Sequence, residues 1–147
     1  MSAPRRATDA DADAVAEVFL AARAAMTYLP DLHSDDETRA FFHSVVASNE
    51  VWVVDAAGAV AGFAALADDE LAHLYVHPRA QGRGLGATLL GVAKERRPDG
   101  FELWVFQPND GARRFYERHG CELVRLTDGS GNEERVPDAR YAWRPAR

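Results

Sequence analysis

Leu74-Tyr75-Val76-His77-Pro78-Arg79-Ala80-Gln81-Gly82-Arg83-Gly84-Leu85-Gly86-Ala87-Thr88-Leu89-Leu90 runs from an apolar stretch through a proline-bounded loop and a glycine-rich turn into an apolar pattern of helical period. It reads as strand, turn and helix. Glycines at 82, 84 and 86 let the backbone approach a ligand closely, and the helix that begins there aims its unpaired N–H groups and positive dipole end at the same point. That is an anion cradle suited to a pyrophosphate. No Gly-Lys-Ser/Thr follows, which removes the P-loop. Gly82-x-Gly84-x-x-Ala87, with Glu102 about 20 residues on, has the letters of the dinucleotide fingerprint. Its context differs, because His77 to Gln81 separate the first glycine from the strand and the remaining chain is short for that fold's strand–helix repeats.

The spacing Gln81-x-x-Gly84-x-Gly86 after an apolar strand resembles the acyl-CoA motif of the GCN5-related N-acetyltransferase (GNAT) family. Downstream, Asn109-x-x-Ala112-x-x-Phe115-Tyr116-x-x-x-Gly120 is similar to the family's second block. The resemblance covers nearly the whole chain, with its specific part between residues 70 and 120. It implies an α/β (α+β) fold of the acyl-CoA N-acyltransferase type: a mixed central sheet of about seven strands, flanked by about four helices, with a bulged fourth strand.

The remaining pattern agrees with that order. Thr8-x-x-Asp11 opens a first helix with Val15, Val18, Phe19, Ala22 and Met26 at helical spacing. Ser34-x-x-Glu37 opens a second, with Phe41, Phe42 and Val45 expected on its buried side. Val51 to Val54 and Ala59 to Leu66 are β-leaning runs joined by the hairpin signal Asp55-Ala56-Ala57-Gly58. Leu71 to Val76 is a third such run, and Phe101 to Phe106, apolar on both faces over much of its length, reads as a central strand. A strand over Cys121 to Leu126, a loop over Asp128 to Asn132 and a last strand over Arg140 to Arg144 complete the pattern. In the strand ending at Val76, Leu71 and His73 share one parity and Leu74 and Val76 the other, so the apolar face changes sides near 73 and 74, as a β-bulge would make it.

Composition bounds the rest. A chain of 147 residues, 47% of them apolar, is long enough for one domain, 1–147, with a sizeable core. A net charge of −6 and a pI near 5.3 argue against a broad nucleic-acid surface. The apolar runs fall short of a membrane span and the start lacks an apolar signal core, so no membrane association and a cytoplasmic location are expected. Cys121, the one cysteine, reads as a small buried residue, and no metal is expected.

By the resemblance, acetyl-CoA is the acyl donor. Leu74, Tyr75 and Val76 would meet the pantetheine amides, Gln81, Gly82, Arg83, Gly84, Leu85, Gly86 and Ala87 the pyrophosphate, and Asn109 would touch the cofactor, a position that helix capping alone also explains. Tyr116 would protonate the leaving thiolate, although its helical face also suits a core side chain. Glu70 is the candidate base by position, and His73 is the rival by its ordinary pKa of about 6.5. Tyr28, His33 and Glu133, on the loops expected to flank the bulged strand, together with Trp104 are candidate acceptor contacts. Trp104 stands where relatives acting on protein N-termini often carry a glutamate, which turns the expectation towards a small-molecule amine. The alternatives are an acyl-CoA-binding module without turnover and a toxin-like aminoacyl-tRNA acetyltransferase; a monomer or homodimer is expected.

Overall fold

The computed structural model describes residues 3–145, and the expected elements follow one another in the expected order. They are β1 (Arg5–Arg6), α1 (Ala12–Ala24), α2 (Asp35–Ser48), β2 (Glu50–Ala56), β3 (Ala59–Ala67), β4 (Glu70–Val76), α3 (Leu85–Arg96), β5 (Phe101–Phe106), α4 (Asp110–Arg118), β6 (Glu122–Leu126) and β7 (Asp138–Trp143). The strands form one sheet in the order β1-β2-β3-β4-β5-β7-β6. All neighbours are antiparallel except β4 and β5. This is the mixed seven-strand, four-helix arrangement of the acyltransferase fold.

Local chemistry sets several boundaries. At α2 the cap is reciprocal: the Glu37 N–H donates to Ser34 Oγ at 3.1 Å, and the Ser34 N–H donates to Glu37 Oε1 at 2.8 Å. α1 starts later than the Thr8 signal, because Asp9–Asp11 form a 3-10 turn held by the Thr8 N–H on Asp11 Oδ2 at 2.8 Å. The β2–β3 hairpin turns on Ala57 and Gly58, both left-handed, which matches the twist of the flanking strands. The last strand begins earlier than its sequence signal, at Asp138, because that residue pairs with Phe106 across β5.

The sheet buries both faces. On one side α1 and α2 pack Val15, Val18, Phe42 and Val45 onto Val51, Val53 and Phe63. On the other, Leu85, Leu89 and Leu90 of α3 and Tyr116 of α4 pack onto Leu71, Phe101, Leu103 and Tyr141. Phe41 departs from expectation: it is 53% exposed, leaning edge-on against Phe42 and His73 at the rim rather than entering the core.

The feature that positions the site is the junction of β4 and β5. Their one register pair is Glu70↔Glu102, beside a hydrogen bond from the Glu102 N–H to Asp69 O at 3.0 Å, and beyond it the strands diverge. The bulge supplies the cause. Ala65 pairs with His73 and Leu66 with Leu71, leaving Ala72 as the extra residue. It lies just before the parity change read from the sequence. Leu71 and Leu74 consequently both face α3 and α4, while His73 and Tyr75 face α1 and α2.

Candidate active site

The turn after β4 holds Gly82 and Gly84 at φ of +80° and +78°, backbone that side chains other than glycine rarely adopt. A Cβ built on either would meet nothing within 4 Å, so both face open space. Gly84 is the N-cap of α3 and offers no capping side chain; the first helical amide to pair is that of Thr88, on Gly84 O at 3.0 Å. The preceding N–H groups thus remain available for an anion, which is the chemistry a pyrophosphate needs. The divergence of β4 from β5 leaves strand groups on that side without a partner strand, as an extended amide-bearing ligand requires. The residues present therefore fit acetyl-CoA. Gln81 bridges the two parts through Nε2, which donates to Val76 O at 3.2 Å. Arg79 takes no part: its guanidinium is turned to the carbonyls of Ala56 and Val60 at 3.2 and 3.1 Å, clamping the turn to the β2–β3 hairpin.

Turn and strand open into one cleft of about 1400 Å³. Of the sequence-predicted residues it gathers His73, Leu74, Tyr75, Val76, Gln81, Gly82, Gly84, Leu85, Gly86, Ala87, Asn109, Tyr116, Tyr28 and Trp104. Arg83 is exposed on the rim of the turn. Asn109 is the cap of α4, its Oδ1 accepting from the Ala112 N–H at 3.1 Å, and it lines the cleft as well. Tyr116 is buried, and burial pushes its phenol far above the ordinary value, with Tyr75 and Cys121 adding to the rise. It holds its proton at neutral pH. Cys121 is buried, as expected, and its thiol is pushed up to about 11 by burial.

The residues expected to contact an acceptor lie on the α1–α2 side of the sheet. Two loops meet there: His33 Nε2 and Glu133 Oε1 are 2.6 Å apart, joining the segment between α1 and α2 to that between β6 and β7. Beneath them Tyr28 packs edge-on against Phe106. The Tyr28 hydroxyl is the one buried side-chain polar atom without a hydrogen-bond partner among the described residues. Burial raises this phenol above its ordinary value, and the nearby Asn109 side chain acts in the opposite direction. Glu134, which was not singled out as a base by the sequence pattern, lines the cleft half-buried; its charge adds to the burial that raises the Tyr75 phenol to about 12.

The two candidate bases sit in different surroundings. Glu70 points out of the main cleft and pairs with Arg140 Nη1 at 2.6 Å, beside Glu102, which pairs with Arg140 Nε at 2.9 Å. Its carboxylate lines a separate, smaller hollow with Trp104, Arg125 and Arg140. His73 does line the cleft, but Phe41, Phe42, Phe63 and Tyr75 surround its ring, with centroids 5.2–6.5 Å away. Burial lowers this imidazole to about 4, against a weaker upward pull from Glu70. That makes it a neutral wall rather than a base at neutral pH.

A stability consequence follows with a definite sign. Unfolded histidine titrates near 6.5, so between about pH 6.5 and 4 the unfolded chain binds a proton that the folded protein refuses. Stability is complete above that window and falls as pH drops through it, by roughly 3 kcal/mol at the acid end. His73→Phe is expected to flatten this slope in urea denaturation across the window; an unchanged slope would place the titration elsewhere.

Among the described residues no group of three or more His, Cys, Asp or Glu is placed to hold a metal, and no helix is long and apolar enough to cross a membrane. The family described as "Acetyltransferase (GNAT) domain" matches residues 47–122. The peptidyl-lysine N-acetyltransferase YiaC of Escherichia coli is 32% identical over 80 residues, 54% of this chain and 54% of YiaC; the chain thus matches about half the length of that curated relative. Among solved structures, a GCN5-related N-acetyltransferase from Rhodopseudomonas palustris superposes with a TM-score of 0.81 at 20% identity, covering 99% of this chain and 98% of that one. YncA from Salmonella typhimurium, solved with its cofactor acetyl-CoA, gives 0.75 at 19% identity, covering 98% of this chain and 94% of that one.

Proposed function

We propose that this chain, which belongs to the acetyltransferase (GNAT) domain family, transfers an acetyl group from acetyl-CoA to the primary amine of a small molecule. One observation carries the reading: an uncapped helix N-terminus, an unpaired strand edge and a buried phenol converge on one cleft. Acetyl-CoA supplies the activated acyl group as a thioester. The N–H groups of the Gly82–Ala87 turn take its pyrophosphate, and the free side of β4 takes the pantetheine amides.

The acceptor amine approaches from the α1–α2 face. Its nitrogen forms the new bond to the acyl carbon as the C–S bond breaks. One proton leaves the nitrogen and one goes to sulfur. Tyr116 holds the second of these. Burial weakens a phenol as an acid, but it also raises the basicity of a thiolate expelled into the same surroundings, so the pair remains matched. Glu134 is the carboxylate best placed at the amine: a cationic amine drawn into the cleft first releases one proton to solvent, and the neutral amine then loses through water to Glu134 the proton shed as the amide forms.

The test is release of free thiol from acetyl-CoA over a panel of primary amines, including lysine derivatives and small polyamines. Release that requires both protein and amine is expected. Saturable acetyl-CoA binding with no amine-dependent release from any acceptor would replace this reading with that of a binding module.

A further inference from the structure

On the acceptor face, β5, β7 and β6 carry a row of side chains that the reaction as described does not use. Leu103 and Val105 point into the α3–α4 core, so Trp104 stands on the opposite face, 42% exposed. Its register partner on β7 is Arg140. On β6 the register slips between Leu123 and Arg125, leaving Val124 as the extra residue and setting Arg125 opposite Arg140. The two guanidiniums lie over the Trp104 ring at 5.0 Å for Arg140 and 5.3 Å for Arg125. Their charges are in different states. Arg140 is neutralised by Glu70 and Glu102, whereas among the described residues no carboxylate pairs with Arg125. Trp104 and Arg125 line both the main cleft and the smaller hollow, which therefore opens from the acceptor side.

Resting on the acetyltransferase reading above, we infer that Arg125 is the residue that recognises a carboxylate on the acceptor, and that the acceptor is an amino acid or a close carboxylate-bearing amine. A guanidinium pinned on an aromatic face has lost much of its rotamer freedom, and its planar fork matches a carboxylate. Glu134 and Arg125 both line the cleft and give it opposite charges, the pattern a zwitterion requires. The Arg140–Glu70–Glu102 group beside Trp104 supports the platform without competing for the ligand, since its charges are already matched. Arg125 is exposed, so its replacement does not threaten folding.

The experiment compares acceptor pairs that differ only in the carboxylate, phenylalanine with phenethylamine and leucine with isoamylamine, on wild type, Arg125→Gln and Arg125→Lys. Arg125→Gln is expected to lower kcat/KM for the amino acids by at least about 10-fold, mainly through KM, and to change that for the decarboxylated partners by less than about 3-fold. Arg125→Lys should restore part of the loss. Equal effects on both members of each pair, or none, would overturn the assignment. Calorimetric titration of the same compounds into the CoA-loaded protein reads the contact without turnover. Arg125-dependent binding of the amino acids with no acetylation of any acceptor would sink the transferase reading and keep this one. Amino acids that do not bind, or that bind equally to wild type and Arg125→Gln, would sink the carboxylate assignment whatever the turnover.

Discussion

Tyr116→Phe is expected to slow turnover by on the order of 10²-fold or more while leaving the affinity for acetyl-CoA within about 3-fold of wild type, the range for loss of a positioned acid. The substitution keeps the ring that packs among Leu85, Leu103 and Tyr141 and removes only the hydroxyl. A buried ring of unchanged volume costs little, so the melting temperature should hardly move. The phenol stays protonated through the neutral range because burial lifts its pKa, and the wild-type rate should therefore show no loss from Tyr116 ionisation below about pH 10. Steady-state kinetics with any acceptor, together with a binding titration of the cofactor, check this. Equal kcat in the two proteins would make Tyr116 a core side chain and no more, the other reading its helical face allows.

How far the sequence carried the fold depends on the range of each signal. The glycine turn, the Ser34 cap, the Asn109 cap and the Ala57-Gly58 hairpin are local, each decided by residues within four of one another, and each stands where its pattern put it. The bulge was visible as a change of parity, though its extra residue is Ala72, just ahead of the apparent switch, because register is set by the partner strand and not by hydrophobicity alone. What escaped was long-range pairing of charge. Glu70 follows Asp68 and Asp69 in an acidic turn, yet its partner Arg140 lies 70 residues away on β7. His73 is a candidate by its ordinary pKa, yet α2 brings Phe41 and Phe42 over it. Arg79 stands beside the glycines in sequence, yet its guanidinium is held by carbonyls of the β2–β3 hairpin some 20 residues upstream. Capping groups and glycines announce themselves by conformation; ionisable side chains take their roles from whichever neighbour the sheet order delivers.

Gly84→Glu is expected to weaken acetyl-CoA binding by at least about 10²-fold and to abolish ligand-induced stabilisation. Two effects add. The residue has φ of +78°, so any side chain strains the turn by about 1–2 kcal/mol, a cost that Gly84→Ala shares. The second belongs to glutamate alone. A Cβ at this position meets nothing within 4 Å, so the new side chain occupies the space in front of α3, where its carboxylate can take the helix-end N–H groups for itself and repel a phosphate that approaches. Wild-type protein at ligand concentrations near 100 times Kd should gain about 2.7 kcal/mol, or roughly 5–10 °C in melting temperature. Gly84→Ala should retain most of that shift from a slightly lower starting point, whereas Gly84→Glu should show none, its own strain being partly offset by the favourable placement of an acid at a helix N-terminus. A Gly84→Glu protein that acetyl-CoA still stabilises by the wild-type increment would remove the turn from the cofactor site, and the fit of the glycine cradle to a pyrophosphate would go with it.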